Sequence, residues 1–347
     1  MKTTWIFFLG LLFSGTWLEA QDFFEAYKAD ADKYLMHYSQ PFFEGMIFNS
    51  SDGWVHTAKA MEVKSLALDI NTDYAFIPEA YQTFRFDPAE YQTIDLVDED
   101  GHVISSAMDM PTIFGPDTDL SIRVRADGNT PGTYDEMTIS ALPGFKSDFE
   151  KMLSFLPLGM PGISLQVRAG LPLHSEVMVR YFPLTNYAGA KAEVLGLGLK
   201  HELGQYFGWE GNFHLAAYGV YTSTHIGYSP DTLDFRGIFD LNIMTAGAVA
   251  SQDYKIVSFY GGLSYIRGWN KLQVLGSKTY TYDITDSHGN VITQQSETLN
   301  DPLHLRFAVN EYKAFAGVKF NFWILHIFVQ YNFQKYPGLN AGLSLGM

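Results

Sequence analysis

The chain contains no cysteine. That excludes a disulfide framework and a lipid-anchored lipoprotein. After Ala20 no apolar run approaches the ~18–20 residues of a membrane helix, so no helix of the mature chain spans a bilayer. Positive charge is scarce, with 23 Lys and Arg against 38 Asp and Glu, a net of −15. The deficit argues against nucleic acid or an anionic lipid surface as ligand, since both need basic patches. Catalytic signatures are missing too: no G-x-S-x-G elbow, no H-E-x-x-H and no phosphate loop. His174 and Ser175 are adjacent, and neighbours on a strand point apart, so they form no triad. The ten histidines are scattered without ligand spacing. Asp98-Glu99-Asp100-Gly101 lacks the alternating oxygen ligands of a calcium loop and reads as a solvated turn. The expectation is a protein that is not an enzyme and carries no cofactor or metal.

What is present is alternation, clearest in the last part of the chain. Tyr312, Ala314, Ala316, Val318, Phe320 and Phe322 oppose Lys313, Gly317, Lys319 and Asn321. Leu325, Ile327, Val329, Tyr331 and Phe333 oppose His326, Gln330, Asn332 and Gln334. Leu339, Ala341, Leu343, Leu345 and Met347 then oppose Asn340, Gly342, Ser344 and Gly346. Only Phe315 and Phe328 break step. Strand side chains point to opposite faces in turn, so each run has one apolar and one polar face. In Ser65–Phe76 the polar set is Asp69, Asn71 and Asp73, which could not face lipid, so it marks the lumen. Aromatics are abundant, with 21 Tyr and 27 Phe, as interfacial girdles require. Further candidate strands are 120–125, 137–141, 163–169, 177–182, 194–200, 213–221, 241–249, 256–266, 269–282 and 303–309. Asp286–Asn290 reads as a hairpin tip. The sum predicts an all-β transmembrane antiparallel barrel of about fourteen strands, range 12–16, over residues 61–347.

The first 20 residues read as a signal peptide: Lys2, then apolar Trp5–Leu12, then a cleavage site between Ala20 and Gln21. Residues 21–60 read as a plug or periplasmic segment. Within it Phe23–Tyr38 has helical spacing that Pro41 should end, and Phe42–Lys59 has no steady period. Phe42, Phe43, Met46, Phe48 and Trp54 could line a greasy path for an apolar molecule, or simply pack the plug against the wall. A short helix opened by Ser147, with Phe149 on its apolar face, belongs in the lumen or at a barrel mouth. Arg123, Arg125, Arg168 and Arg180 share polar strand faces with Asp69, Asp73 and Glu176. Mixed signs inside a barrel favour a neutralising lattice over an ion-selective path.

Three motifs carry a resemblance: Pro41–Lys59 with Gly53-Trp54, Gly170–Pro183, and Gly196–Phe207. They resemble an uncharacterised family of Gram-negative outer-membrane barrels similar to long-chain fatty acid transporters. The resemblance implies an N-terminally plugged outer-membrane channel that passes small hydrophobic or amphipathic molecules. A non-conducting barrel serving as scaffold or docking partner for envelope proteins is the alternative. The partners expected are outer-membrane lipid, a hydrophobic small-molecule ligand and the barrel assembly machinery, with no nucleic acid. Met347 stands where such barrels usually end in Phe or Trp.

Overall fold

The computed structural model describes residues 21–124, 137–152, 156–183, 190–209, 211–229, 235–285, 291–300 and 303–346. Residues 1–20 with the expected cleavage residue Ala20, Arg125, residues 286–290 and Met347 lie outside the described residues. The described residues open with helix α1 (Gln21–Ser51) and strand β1 (Leu66–Phe76). Five short strands follow: β2 (Thr83–Phe86), β3 (Ile94–Val97), β4 (Met108–Pro111), β5 (Ser121–Val124) and β6 (Met137–Ser140). After helix α2 (Lys146–Met152) come β7 (Gly159–Leu171), β8 (Ser175–Pro183), β9 (Ala190–Glu202), β10 (Phe213–Tyr228) and β11 (Phe235–Asp253). The chain finishes with β12 (Val257–Thr285), β13 (Val291–Asn300), β14 (Leu303–Phe322), β15 (Leu325–Phe333) and β16 (Gly338–Gly346).

Ten of these strands close one antiparallel ring, in the order β1-β7-β8-β9-β10-β11-β12-β14-β15-β16, with β16 pairing back onto β1. Strand β13 pairs only with the upper part of β12, beyond the ring. The barrel is therefore smaller than the fourteen strands the alternation suggested. Two of the surplus strands, β5 and β6, pair with β3 in a separate small sheet rather than with the wall. Two more are halves of single strands. The runs 256–266 and 269–282 are one 29-residue strand, β12. The runs 303–309 and 312–322 are both β14.

Strands β12 and β14 look like two strands each because their polarity inverts partway. Below Tyr312 the outward side chains of β14 are Ala314, Ala316, Val318, Phe320 and Phe322, and the inward ones include Lys313 and Lys319. Above Tyr312 the inward side chains are Leu303, Leu305, Phe307 and Val309, and the outward ones are His304, Arg306, Ala308 and Asn310. The pleat continues unbroken while the surroundings change from lipid to water. Tyr312 is 79% exposed at the crossover and packs on Tyr265 of β12, 5.3 Å away between ring centres. The Tyr265 hydroxyl donates to Asn310, and the Tyr221 hydroxyl to Asn242, so this girdle ties aromatic edge to polar rim. A second aromatic rim, including Tyr206, Phe207, Trp209 and Trp323, is exposed beside the short turns at the other end. Strand β1 lies between the two levels with 11 residues. At ~3.4 Å per residue and a tilt of ~40° that is a band of about 25–30 Å, matching a bilayer core.

The polarity crossover makes a direct prediction. Arginine at Val329, midway along the outward face of β15, should cost ~2–4 kcal/mol. Arginine at Ala308, on the outer surface of β14 above the girdle, should cost under ~1 kcal/mol. Urea unfolding in lipid vesicles measures both, and equal costs would mean that Tyr312 does not mark the boundary.

Between β1 and β7 the chain builds a cap over the long-connection end. Sheets β2–β4 and β3–β5–β6 enclose a core of Phe86, Tyr91, Ile94, Leu96, Met110, Ile122 and Val124, which takes Tyr34 from α1. Residues 83–124 thus belong to these small sheets and not to the wall. Arg123 lies there, in register with Asp95, and not in the lumen. Helix α2 joins the cap through Phe149 against Phe114.

Helix α1 runs straight past Pro41 to Ser51 instead of ending there. Proline removes one intrahelical bond and crowds the preceding turn, a penalty of ~3 kcal/mol in an isolated helix. Here packing on all sides overrides it. The Ile113 N–H donates to the Tyr38 carbonyl at 3.0 Å, and the Tyr38 hydroxyl donates to the Pro143 carbonyl at 2.8 Å. Beyond the proline, Phe43 and Ile47 are buried within the upper barrel.

Candidate functional site

Every other feature of the molecule is arranged about the segment that fills the lumen. It enters from the cap. The Asp30 carboxylate accepts the Gln92 and Thr93 N–H groups at 2.8 and 2.6 Å. Burial lifts the nearby Asp32 carboxyl to about 6, drawn partly back by Lys28. The segment leaves at the short-turn end, where the Lys64 N–H donates to the Gly170 carbonyl before β1 turns back upward.

The upper storey is apolar. Phe43 stacks on Phe239 at 5.2 Å and meets Phe307 at 4.6 Å, and Phe42 packs edge-on to Phe43. Phe48 is fully buried against Tyr336, and Met46 packs onto the same cluster. Inward residues of β11, β12 and β14 complete it, among them Leu241, Ile266 and Leu305.

The lower storey is charged. Helix α1 ends where the Ser51 hydroxyl donates to the Phe48 carbonyl and the chain turns at Gly53. Gly53 has φ 68°, and a Cβ there would lie 2.6 Å from the Asn340 amide nitrogen, so only glycine suits the turn. Asp52 is 1% exposed and its carboxylate meets Lys313 Nζ of β14 at 2.7 Å. Arg180 of β8 donates to the Asp52 carbonyl at 3.0 Å and lies 4.2 Å over the Trp54 ring. His56 stacks on Phe328 at 4.4 Å, and Phe315 joins the cluster around Trp54. The two aromatics that broke step in the sequence are therefore inward-facing partners of the plug. Lys200 donates to the carbonyls of Thr57 and Lys59, and the Ala60 N–H donates to Glu202. Behind these contacts Arg168 pairs with Asp69 at 2.5 Å and with Glu176 at 3.2 Å, and Lys200 pairs with Glu176 at 2.9 Å. Asp73 accepts from Asn340 at 2.6 Å.

The predicted path residues are thus divided. Phe42, Phe43 and Phe48 come together in the upper storey, whereas Trp54 belongs to a separate lower cluster. Asp52, Lys313 and Arg180 stand with Trp54 in the lower storey. Gln21 begins α1, at the capped end of the barrel. Sequence reasoning did not assign Asp52, His56, Thr57, Lys200 or Glu202 to the site. Lys200 and Glu202 could have been found from their inward register with Gly198; Asp52 and His56 sit in an aperiodic stretch with no local signal.

Two other constellations have little chemistry to offer. Ser175 Oγ lies 2.8 Å from His201 Nδ1, but Nε2 is engaged by the Tyr206 hydroxyl at 2.9 Å. That leaves no place for the carboxylate which orients a hydrolase histidine. Asp98, Asp100 and His102 converge on an exposed turn, where one Asp98 oxygen already accepts the N–H groups of Asp100 and His102.

A closed antiparallel ring with a lipid-matched apolar belt, a charged interior and two aromatic girdles defines a transmembrane β-barrel. The chain belongs to a family of unknown function, DUF6588, whose model matches residues 1–347. No curated protein matches it. Among solved structures, Ail of Yersinia pestis is 12% identical with a TM-score of 0.24, covering 82% of this chain and 97% of its own. The translocator domain of the autotransporter NalP from Neisseria meningitidis is 9% identical with a TM-score of 0.28, covering 91% and 97%. OccK1 of Pseudomonas aeruginosa is 9% identical with a TM-score of 0.13, covering 83% and 99%. At such scores the likeness carries no argument about strand number or activity. The resemblance to fatty acid transporters finds no support among them.

Proposed function

We propose that the protein is a Gram-negative outer-membrane barrel closed by its own N-terminal segment, whose cap is a docking scaffold for other proteins of the envelope or surface. Export would follow from the N-terminal signal sequence and insertion from the barrel assembly machinery. No catalytic role is part of this reading. One observation carries the closure: the plug is held at both storeys and is continuous with folded structure at both ends, α1 in the cap and β1 in the wall. A gate must release its contacts cheaply. Stripping one partner from a buried ion pair costs ~3–5 kcal/mol, and this plug would lose Asp52–Lys313 together with its bonds to Arg180 and Lys200. The cap takes the outward side because long connections lie outside the cell and short turns in the periplasm.

The channel reading, passage of small hydrophobic or amphipathic molecules, draws on the apolar storey around Phe43 and Phe48. It requires the charged storey beneath to part. In planar bilayers the intact protein should give no resolved conductance, and a form lacking residues 21–62 should give clear open steps. Steady conductance from the intact protein would return the channel reading. So would loss of apolar-probe uptake in Phe43→Ala at unchanged abundance.

A further inference from the structure

The few cations of this acidic chain are not spread evenly. Above the Tyr265–Tyr312 girdle the outer faces of five strands carry one charge row: Glu193, His225, Asp240, Lys271 and Arg306, each in register with the next. At its start His225 stands between the carboxylates Glu193 and Asp240. His225 Nδ1 meets Asp240 at 2.5 Å. The row ends with two like charges side by side, Lys271 directly opposite Arg306. Like charges facing across a strand pair destabilise a sheet, so this end of the row carries a standing repulsion. Arg267 lies on the same face of β12, and His304 beside Arg306 on β14, both exposed. Among the described residues Lys271, Arg306 and Arg267 have no carboxylate within ion-pair distance, and Asp240 is hydrogen-bonded to His225. Arg306 also stands on a part of β14 that β15 does not reach, since their pairing stops at Ala314.

We propose that this strip binds the phosphorylated headgroup of an outer-leaflet lipid, with Lys271 and Arg306 as the central phosphate donors and Arg267 below them. The inference rests on the outer-membrane reading above. Position argues for a lipid over a soluble anion: the strip rises from the upper edge of the lipid-facing belt, and Trp269, exposed between Arg267 and Lys271, is an interfacial side chain. Height argues for a large headgroup. Arg267 to Lys271 spans ~13 Å along the strand, more than one phosphodiester fills, so a headgroup bearing several phosphates fits. Guanidinium groups bind phosphate bidentately, and the anion would relieve the Lys271–Arg306 repulsion. The net charge of −15 argues against an anionic lipid surface as partner; the fold overturns that argument locally by gathering cations from separate strands.

The test uses the full mature chain in phosphatidylcholine nanodiscs containing rough lipopolysaccharide, or the same glycolipid after chemical dephosphorylation. Native mass spectrometry counts the glycolipid retained. Retention of the phosphorylated form by the wild type should fall about thirtyfold in Lys271→Gln/Arg306→Gln, as expected for two interfacial cations. Arg85→Gln, an exposed cation in the cap, should leave it unchanged. Equal retention of both glycolipids by the wild type would overturn the proposal without needing any variant. So would an unaffected double variant, or displacement by millimolar inorganic phosphate, which would indicate a simple anion site. Heat-modifiable migration of the same samples reports the barrel separately, so failure to insert would count against the outer-membrane reading instead.

Discussion

Replacing Asp52 by alanine is expected to destabilise the barrel by about 3–5 kcal/mol, because it leaves Lys313 charged and buried without its counter-ion. Both side chains are almost completely enclosed, at 1% and 2% exposure. The remaining acceptors for Lys313 Nζ are the carbonyl and hydroxyl of Ser51, at 2.9 and 3.4 Å, which cannot neutralise it. Removing the cation as well should recover much of the loss: Asp52→Ala/Lys313→Met replaces an orphan charge by apolar contact. Urea unfolding in vesicles gives both numbers. A single variant as stable as the wild type would mean that the plug is not fastened at this level, and the argument for a closed lumen would fall with it.

The second result is a matter of sides. The chain lacks cysteine, so any introduced thiol is the only one. Ala29, exposed on α1 beside the cap, and Leu173, 76% exposed in the turn after β7, lie at opposite ends of the barrel. In intact cells a membrane-impermeant maleimide should label Ala29→Cys and leave Leu173→Cys unmodified until the outer membrane is permeabilised. The expected outcome has a consequence for assembly. The segment from Gln21 would then have to reach the cell surface through the lumen before β1 returns from the periplasmic end. The opposite labelling pattern would put the cap in the periplasm and remove the basis for both the surface scaffold and the outer-leaflet lipid strip.

Much of the wall was legible locally. Asp69, Asn71 and Asp73 against Leu66, Leu68 and Ile70 told lumen from lipid correctly, because a two-residue period needs no knowledge of partners. The lattice of Arg168, Asp69 and Glu176 was legible for the same reason. Strand number was not. Ser121–Val124 alternates as a wall strand does, yet its partners are β3 and β6, and periodicity says nothing about which strand lies alongside. On β12 and β14 the crossover from lipid to water swaps which face is apolar. A reader of hydropathy sees that swap as the end of one strand and the start of another.

The plug shows the same division. Its aromatic content and helical start announced a packed segment ahead of the first strand. Its path did not follow, because Pro41 reads as a stop and the residues from Phe42 to Lys59 have no period. By itself the sequence determined a barrel with one apolar face per strand, and an N-terminal segment too aromatic to be a solvated tail. Tertiary structure alone decided that ten strands close the ring, that α1 survives its proline, and that Asp52 meets Lys313 across 261 residues of chain. The physical reason is range. Alternation is written within a few residues by the pleat, whereas ring closure, helix rescue and a buried ion pair depend on which distant groups the fold brings to the same place.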